Sequence, residues 1–360
     1  MVLVPEQENE LARAIQAGVP LVPGPFAALG EAIGESEAAV LETLRAWAEA
    51  GTLREISAVV EGSMVGYESA LAAAKVPPHR LEEVVAIVNA HPTVTHNYER
   101  DHPYNLWFTL AVPHAMGLER TAALLARATG LETLHMARRT ATFKIGVNID
   151  LLTLRNRTEA APKANGNGAH GKNGKNGHGS NGHGGAEFVA LSEGERATLR
   201  ALQQPLPLTE RPFAPLAEAQ GIDPEQLLEF GKRHLGGMIR RYSGVMRHRK
   251  LGVRSNGMVV WNVPDDRLEE VGNILAQVPE VSHCYAREPL PDFPYTLYTM
   301  VHAPDPAVLE AMTGSMADKA GVSDYRVLVS TREFKKVRLR YFLRELEAWW
   351  REHGGEEMAI

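Results

Sequence analysis

An internal repeat constrains the fold of this 360-residue chain more than any other feature of its sequence. The segment VPPHRLEEVVAIVNAHPTVTHNYER, residues 76–100, returns as VPDDRLEEVGNILAQVPEVSHCYAR at residues 263–287, at a constant offset of 187 positions. Upstream, GTLREISAVV (51–60) corresponds to GMIRRYSGVM (237–246). Similarity of this length within one chain indicates a duplication. Each half is therefore predicted to fold as a copy of the same unit.

Between the halves lies KANGNGAHGKNGKNGHGSNGHGG, residues 163–185, in which alanine is the only apolar residue. Such a segment cannot bury enough apolar surface to offset the entropy lost on ordering, so it is predicted to be a flexible linker. It contains three histidines, but flexible spacing without carboxylates or thiols is not typical of a metal site. No metal site is predicted here or elsewhere.

Periodicity predicts two domains in each unit. In half two, helices are indicated by SEGERATLRALQQ (192–204), with a Ser N-cap, and by DPEQLLEFGKRHLGG (223–237), which starts with Asp-Pro and ends with Gly-Gly. Three short helices followed by a strand are typical of a winged helix-turn-helix. The remainder of each unit has the β-α-β-β-α-β order of a ferredoxin-like sandwich. The predicted fold class is α+β, a tandem repeat of these two domains.

The predicted boundaries follow from these patterns: 1–54 (helix-turn-helix-like) and 55–156 (ferredoxin-like) in half one, 157–186 as linker, 187–238 and 239–345 for the same domains in half two, and 346–360 as a C-terminal helix and tail. A ferredoxin-like unit alone leaves a sheet face or edge uncovered. We therefore expect the two halves to pack together as an internal pseudo-dimer, which a further homo-oligomer could extend.

Composition limits the partners. A formal net charge of −6 argues against a general nucleic-acid binder. No apolar run approaches the roughly 18 residues of a membrane span, so no membrane association is expected. The single cysteine, Cys284, excludes an internal disulfide framework and is typical of a cytoplasmic protein.

Positive charge is concentrated in one stretch of half two. From Met238 to Pro264 there is no Asp or Glu, but there are seven potential cations: Arg240, Arg241, Arg247, His248, Arg249, Lys250 and Arg254. A strand edge protected by charge is one interpretation. The other is a clamp for an anionic ligand, because arginine is suited to bidentate carboxylate binding. The corresponding stretch of half one has Arg54 as its only cation, so the sequence places the principal site in half two.

A histidine-bearing pattern occurs in both halves, as His96, Tyr98 and Arg100 and as His283, Tyr285 and Arg287. Alternation on a strand places each set on one face. Near them are the aromatic residues of the following strand, Trp107 in half one and Tyr295 and Tyr298 in half two. The aromatic rings could be core and the polar groups surface. The alternative is a site for a flat apolar ring system edged by acids, which needs rings to pack on, cations, and a proton donor.

These motifs carry a resemblance. HNYERDHPYNLWF, HCYAREPLPDFPYTLYTM, RRYSGVMRHRKLG and NGMVVWNVP resemble the siroheme decarboxylases of the fused NirD–NirL type, which share the scaffold of the Lrp/AsnC regulators. The resemblance covers nearly the whole chain except the linker. It implies a carboxy-lyase that converts siroheme to 12,18-didecarboxysiroheme by removing CO2 from two acetate side chains, in the biosynthesis of heme d1 or an alternative heme. It implies no cofactor beyond the iron of the siroheme substrate.

Decarboxylation leaves a methylene carbon that must be protonated, and histidine is the natural donor near neutral pH. The predicted catalytic residues are His248 and His283, with His96 as the repeat-related counterpart and Tyr285 as a secondary proton donor. A histidine could instead face the substrate iron. The predicted substrate-binding residues are Arg240, Arg241, Arg247, Arg249, Arg287, Arg100, Tyr98, Tyr295, Trp107 and Tyr298.

Two other functions use the same features. A transcriptional regulator needs a cationic recognition helix, but ESEAAVLETLRAWAEAG (35–51) carries four glutamates against Arg45. The chain is therefore predicted not to bind DNA specifically. A heme-sensing module would keep the aromatic and basic residues without turnover, and only an assay for CO2 loss separates it from an enzyme.

Overall fold

The structure, a computed structural model, describes residues 3–145, 189–246 and 255–355. The predicted linker, 157–186, therefore lies outside the described residues, as do Arg247, His248 and Arg249. The helices are α1 (Pro5–Ala17), α2 (Pro25–Ile33), α3 (Glu37–Glu49), α4 (Leu81–Ala90), α5 (Leu118–Thr129), α6 (Glu193–Leu202), α7 (Phe213–Glu218), α8 (Pro224–His234), α9 (Leu268–Ala276), α10 (Pro306–Ala320) and α11 (Arg344–Glu352). The strands are β1 (Leu53–Val60), β2 (Tyr67–Ala74), β3 (His96–Arg100), β4 (Leu106–Pro113), β5 (Leu134–Ile145), β6 (Ile239–Met246), β7 (Ser255–Trp261), β8 (Val281–Arg287), β9 (Leu297–Ala303) and β10 (Tyr325–Lys336).

Three helices open each half, and their starts follow the local capping signals. Ser36 accepts a hydrogen bond from the backbone of α3, and Ser192 forms a capping box with Glu195 at the start of α6. Asp223 accepts from two backbone N–H groups at the start of α8. These side chains satisfy backbone donors that a helix leaves without internal partners. The helical part of each predicted unit is confirmed.

Eight strands form one closed barrel in the order β10-β3-β4-β2-β5-β8-β9-β7. Each half contributes a ferredoxin-like sheet, β2-α4-β3-β4-α5-β5 in half one and β7-α9-β8-β9-α10-β10 in half two. The sheets join at two antiparallel seams, where β5 pairs with β8 and β10 pairs with β3. Closure satisfies the backbone groups that each separate sheet would expose at its edges. The α+β class is confirmed, and the described halves form an internal pseudo-dimer.

Strands β1 and β6 form a separate two-stranded sheet. They pair antiparallel around Ser57 and Ser243, which lie opposite each other. The sequence places β1 at the start of the ferredoxin-like unit of half one, whereas the structure pairs it with its counterpart from the other half. The strand-like stretch that follows, β2, is the first strand of the barrel. Local alternation could not reveal this, because the partner strand is distant in sequence.

Two lysines connect the halves at equivalent places. Lys144 on β5 donates through Nζ to the carbonyl of Val278 after α9, at 2.9 Å. Lys335 on β10 donates to the carbonyl of Asn89 in the last turn of α4, at 2.6 Å, and to that of His91 just after the helix, at 3.3 Å. Each lysine thus supplies a donor to the C-terminal end of a helix in the opposite half, where carbonyls lack intrahelical partners. Burial lowers the pKa of both amines.

Replacing Lys144 by methionine should lower the free energy of unfolding by about 1–3 kcal/mol, because it removes a charge-assisted hydrogen bond that joins the two halves. The Val278 carbonyl keeps the N–H of Val281 as a donor, at 3.1 Å. Lys144 is only 2% exposed, so water cannot replace the amine without local opening. Denaturant unfolding followed by circular dichroism measures the change. The exposed Lys319 on α10, changed to methionine, is the control and should alter stability by less than about 0.5 kcal/mol. Equal effects of the two substitutions would show that the cross-half contact does not stabilise the fold.

Candidate active site

A cavity of about 610 Å³ lies between the barrel strands and the β1–β6 sheet. Both halves line it. Nine of the residues predicted from the sequence are among its walls: His96, Tyr98, Arg100, Trp107, Arg241, His283, Tyr285, Arg287 and Tyr298. Alternation on β3 and β8 accounts for this placement, since Asn97 and Cys284 between them are fully buried. The two copies of the His-x-Tyr-x-Arg pattern therefore serve one shared cavity.

The cavity is strongly cationic. No Asp or Glu occurs among its described lining residues, but seven cations do: Arg54, Arg100, Arg139, Arg241, Arg287, Lys336 and Arg338. Two of them have carboxylate partners nearby, since Arg338 lies 3.4 Å from Glu55 and Lys336 lies 4.0 Å from Glu333. Three of the seven come from half one. Both halves therefore supply cations to the described part of the cavity, and the placement of the principal site in half two stays a prediction.

Arg100 and Arg287 occupy equivalent positions in the two halves, and each donates a hydrogen bond to a backbone carbonyl of the other half. The Nη1 of Arg100 donates to the carbonyl of Leu328 at 2.7 Å, and the Nη1 of Arg287 donates to the carbonyl of Ala137 at 3.0 Å. Each bond crosses a seam between the halves. Burial lowers the pKa of both guanidinium groups to about 10, so they remain charged at neutral pH.

Each of these arginines also has a buried Nε without a hydrogen-bond partner among the described residues. Neither forms an ion pair with a carboxylate in that part of the chain. Besides the carbonyl hydrogen bonds, aromatic rings compensate the charge: Arg100 lies over the ring of Tyr98 at 5.5 Å, and Arg287 lies over that of Tyr285 at 5.4 Å. A buried cation without an anion is costly. The pair is therefore suited to a ligand that brings its own negative charge.

Two of the cavity histidines, His96 and His283, are oriented by the residue before them. The Nδ1 of His96 lies 3.1 Å from the hydroxyl of Thr95, and the Nδ1 of His283 lies 2.9 Å from the hydroxyl of Ser282. Burial, together with the nearby cations Lys336 and Arg54, lowers the pKa of His96 to about 4. In the cavity without an anion, His96 is therefore neutral at neutral pH and can donate or accept a hydrogen bond but is rarely protonated.

Aromatic groups also line the cavity. Tyr98 lies opposite Trp107 in the β3–β4 register, and Tyr285 lies opposite Tyr298 in the β8–β9 register. Burial raises the pKa of Tyr285 to about 12 and also raises that of Tyr298. Both phenols are therefore protonated at neutral pH and can act as donors. The indole of Trp107 is used elsewhere, since its Nε1 donates to the carbonyl of Tyr104 at 2.7 Å.

Two predicted binding residues do not line the cavity. Arg240 precedes Arg241 on β6, and successive side chains of a strand point to opposite faces. It lies 3.6 Å from Glu61 in an ion pair instead. Tyr295 belongs to the connection before β9 and packs edge-on against Phe293, with ring centroids 4.7 Å apart. Neither residue is placed to contact a ligand in the cavity.

Several lining residues were not predicted. Arg139, Lys336 and Arg338 enter from β5 and from the end of β10, at or just beyond the cross-half seams. His302 and Ser282 also line the cavity, although the sequence distinguishes His302 in no way from a surface or core histidine. Arg247, His248 and Arg249 lie outside the described residues, immediately after the lining residue Met246. Their predicted roles remain predictions.

No group of three or more His, Cys, Asp or Glu side chains in the described part of the chain is arranged to hold a metal ion. Within the same ranges, no helix has both the length and the apolar character needed to cross a membrane.

A barrel built from both halves of one chain, with a cationic, aromatic cavity between its strands and the β1–β6 sheet, defines a fused ligand-binding protein. The family model described as "AsnC-like ligand binding domain" matches residues 64–144 and 250–335. The one described as "Siroheme decarboxylase NirDL-like HTH domain" matches residues 8–54 and 195–239. The chain belongs to the siroheme decarboxylase family, in its fused form.

Individual relatives cover nearly the whole chain. The siroheme decarboxylase of Hydrogenobacter thermophilus is 36% identical over 346 residues, which span 96% of this chain and 97% of that protein. A crystal structure of the siroheme decarboxylase NirDL superposes with a TM-score of 0.73 at 33% identity, covering 96% of this chain and 98% of the other. A second crystal structure, of NirDL in complex with an iron-uroporphyrin III analogue, gives a TM-score of 0.72 at the same identity and coverage.

Proposed function

We propose that the chain is a carboxy-lyase that removes CO2 from the acetate side chains on C12 and C18 of siroheme and releases 12,18-didecarboxysiroheme for heme d1 synthesis. The observation that carries this proposal is the set of seven cations around an aromatic cavity whose described walls contain no carboxylate. Siroheme is a flat ring system edged by acetates and propionates. Arginine pairs with such carboxylates through charge-assisted hydrogen bonds, and aromatic rings pack on the macrocycle.

The cavity residues have separate tasks in this reaction. The arginines hold the carboxylates that are not lost, and the apolar walls disfavour the charge of the acetate that reacts. When the C–C bond to the carboxylate breaks, CO2 leaves and the electron pair passes to the methylene carbon and the conjugated macrocycle. A proton must then be added to that carbon. His283 is the proposed donor among the described residues, with Tyr285 second, while His248 is proposed from sequence alone.

The test is anaerobic incubation of the purified chain with siroheme, followed by mass spectrometry. We expect two successive losses of the mass of one CO2, with the monodecarboxylated species as the intermediate. Siroheme that binds, as judged by its absorption spectrum, but keeps its mass would assign the chain to heme sensing instead. No cofactor of the protein's own is part of the proposal, because the iron arrives with the substrate.

Sequence-specific DNA binding should be absent. The helix α3 has one cation, Arg45, whose guanidinium donates to the carbonyl of Leu208 at 2.7 Å. Its glutamates would repel phosphate. A gel-shift assay at physiological salt with genomic fragments should show no discrete complex. A shifted band that survives competitor DNA would restore the regulator.

One chain contributes both sides of the cavity, so we propose that a single chain is a complete catalytic unit and that any homo-oligomer is not needed for turnover. The proposed location is the cytoplasm, where heme precursors are modified and where the buried thiol of Cys284 remains reduced.

A further inference from the structure

A buried serine hydroxyl joins two imidazoles at the wall of the cavity. The Oγ of Ser282 lies 2.7 Å from the Nε2 of His302 and 2.9 Å from the Nδ1 of His283. A third contact, to the carbonyl of Met300 at 3.4 Å, is longer than either. Ser282 is fully buried, and it lines the cavity together with both histidines. Because a hydroxyl donates one hydrogen bond and accepts others, this serine can relay a proton from one ring to the other.

The backbone fixes the outer histidine of this group. The backbone N–H of His302 donates to the carbonyl of Glu280 at 3.1 Å, and His302 pairs with Asn256 in the β7–β9 register. His302 lies on β9 and Ser282 on the neighbouring β8, so two adjacent strands of one sheet hold the three groups. An arrangement held by paired strands is more precise than one held by a loop.

Half one lacks this arrangement. There the hydroxyl of Thr95 contacts the Nδ1 of His96 at 3.1 Å and the hydroxyl of Thr109 at 2.8 Å. The position equivalent to His302 is Ala111, which pairs with Ser69 as His302 pairs with Asn256. The series of hydrogen bonds that starts at the imidazole of His96 thus leads to the hydroxyl of Thr109, which does not titrate near neutral pH. The two sides of the cavity therefore differ in their capacity to supply protons.

We propose that His302 is a positioning residue that reloads His283 with a proton through the hydroxyl of Ser282. The inference rests on the proposed decarboxylation and deepens it. As His283 gives its Nε2 proton to the methylene carbon, its Nδ1 takes the proton of the Ser282 hydroxyl, and that oxygen takes the Nε2 proton of an imidazolium at His302. His302 ends neutral, and His283 ends with its proton on Nδ1. A solvent proton taken up at the Nε2 of His283 then drives the two relay protons back through the Ser282 hydroxyl, which restores the imidazolium at His302 and the Nε2–H of His283. Each CO2 released thereby consumes one proton, which the carbon retains.

The relay predicts an effect on the reaction rate that a purely structural role of Ser282 and His302 would not produce. Removing Ser282 or His302 should slow turnover without weakening binding of the macrocycle, because neither group is proposed to hold a substrate carboxylate. We expect Ser282→Ala and His302→Ala each to lower kcat about 10- to 100-fold, which is less than the loss of a general acid itself costs. The dissociation constant for an iron porphyrin, titrated by its Soret band, should stay within about twofold.

Conservative variants and a double mutant make the test specific. Ser282→Thr keeps a hydroxyl, as Thr95 does in half one, and should restore most of the rate lost in Ser282→Ala. The double variant should be no slower than Ser282→Ala alone, since His302 acts only through that hydroxyl. His114→Gln, at an exposed position outside the cavity, is the control and should have the wild-type rate.

The outcomes separate cleanly. Three results would each overturn the relay. The first is a double variant whose loss in kcat equals the product of the two single losses, the second is a wild-type rate in His302→Ala, and the third is porphyrin binding that weakens as much as kcat falls. Because the wild-type chain is assayed in parallel, an enzyme that never releases CO2 from siroheme overturns the proposed function itself, and the relay with it.

Discussion

Replacing His283 by alanine should lower the rate of CO2 loss about 10²- to 10⁴-fold and leave binding of an iron porphyrin nearly unchanged. A general acid acts in the transition state, so its loss appears in kcat rather than in the dissociation constant. The side chain lies on a cavity wall with its Nδ1 held at 2.9 Å from Ser282, so truncation removes the imidazole without disturbing the fully buried neighbour Cys284. Single-turnover decarboxylation and Soret titration measure the two quantities.

His96→Ala is the matched comparison in the other half. The hydroxyl of Thr95 that contacts His96 leads to the hydroxyl of Thr109, whereas the hydroxyl of Ser282 that contacts His283 leads to a second imidazole, that of His302. We expect a smaller loss than for His283. If instead each half removed one acetate, the monodecarboxylated product would accumulate in His96→Ala. Changing the three linker histidines together should have no effect, and full activity of His283→Ala would refute the proposed acid.

Arg241→Met should weaken binding of siroheme or an iron porphyrin about 10- to 150-fold. Arg241 lines the cavity without a carboxylate partner among the described residues, and burial together with neighbouring Arg240 lowers its pKa. A charge-assisted hydrogen bond from such a group to a carboxylate is worth roughly 1.5–3 kcal/mol. Methionine keeps the apolar stem, so the change tests the charge and not the packing. The measurement is a Soret titration at fixed ionic strength.

Arg240→Met is the control for this prediction, because the two arginines are adjacent on β6 and only one faces the cavity. Arg240 pairs with Glu61 at 3.6 Å in a partly exposed ion pair, which contributes little to binding or stability. Its substitution should change the porphyrin dissociation constant less than about twofold. Similar losses in the two variants would mean that positive potential in general, and not a direct contact, attracts the ligand.

Local patterns were sufficient for the elements of the fold. The repeat of residues 76–100 at 263–287 predicts two equivalent units, and helical or alternating periodicity predicts the helix-turn-helix and ferredoxin-like parts that the structure contains. The pairing of β1 with β6 was beyond these patterns. Alternation shows that a strand exists, but its partner is chosen by packing between segments far apart in sequence.

The site was predictable where a single strand carries it. His283, Tyr285 and Arg287 share a cavity wall because they alternate on β8, and the same holds on β3. Alternation on β6 also places Arg241 in the cavity wall and Arg240 on the opposite face of the strand. Counting the cations in this stretch of sequence does not reveal that difference. Arg139 and Arg338 could not be found in this way, since they reach the cavity only after the seams between the halves have formed.

Fusion of the halves has a consequence for what natural selection can adjust. In a homodimer with the same barrel, the positions of His302 and Ala111 would be the same residue in two identical subunits. A histidine there would therefore occur on both sides of the cavity. In one chain the two positions mutate independently, and each side of the ligand can be given its own chemistry. Because the halves are covalently joined, their association is also independent of protein concentration. The cavity therefore stays complete even when the protein is dilute. Its two sides differ, as do the two sides of the asymmetric macrocycle that it is proposed to bind.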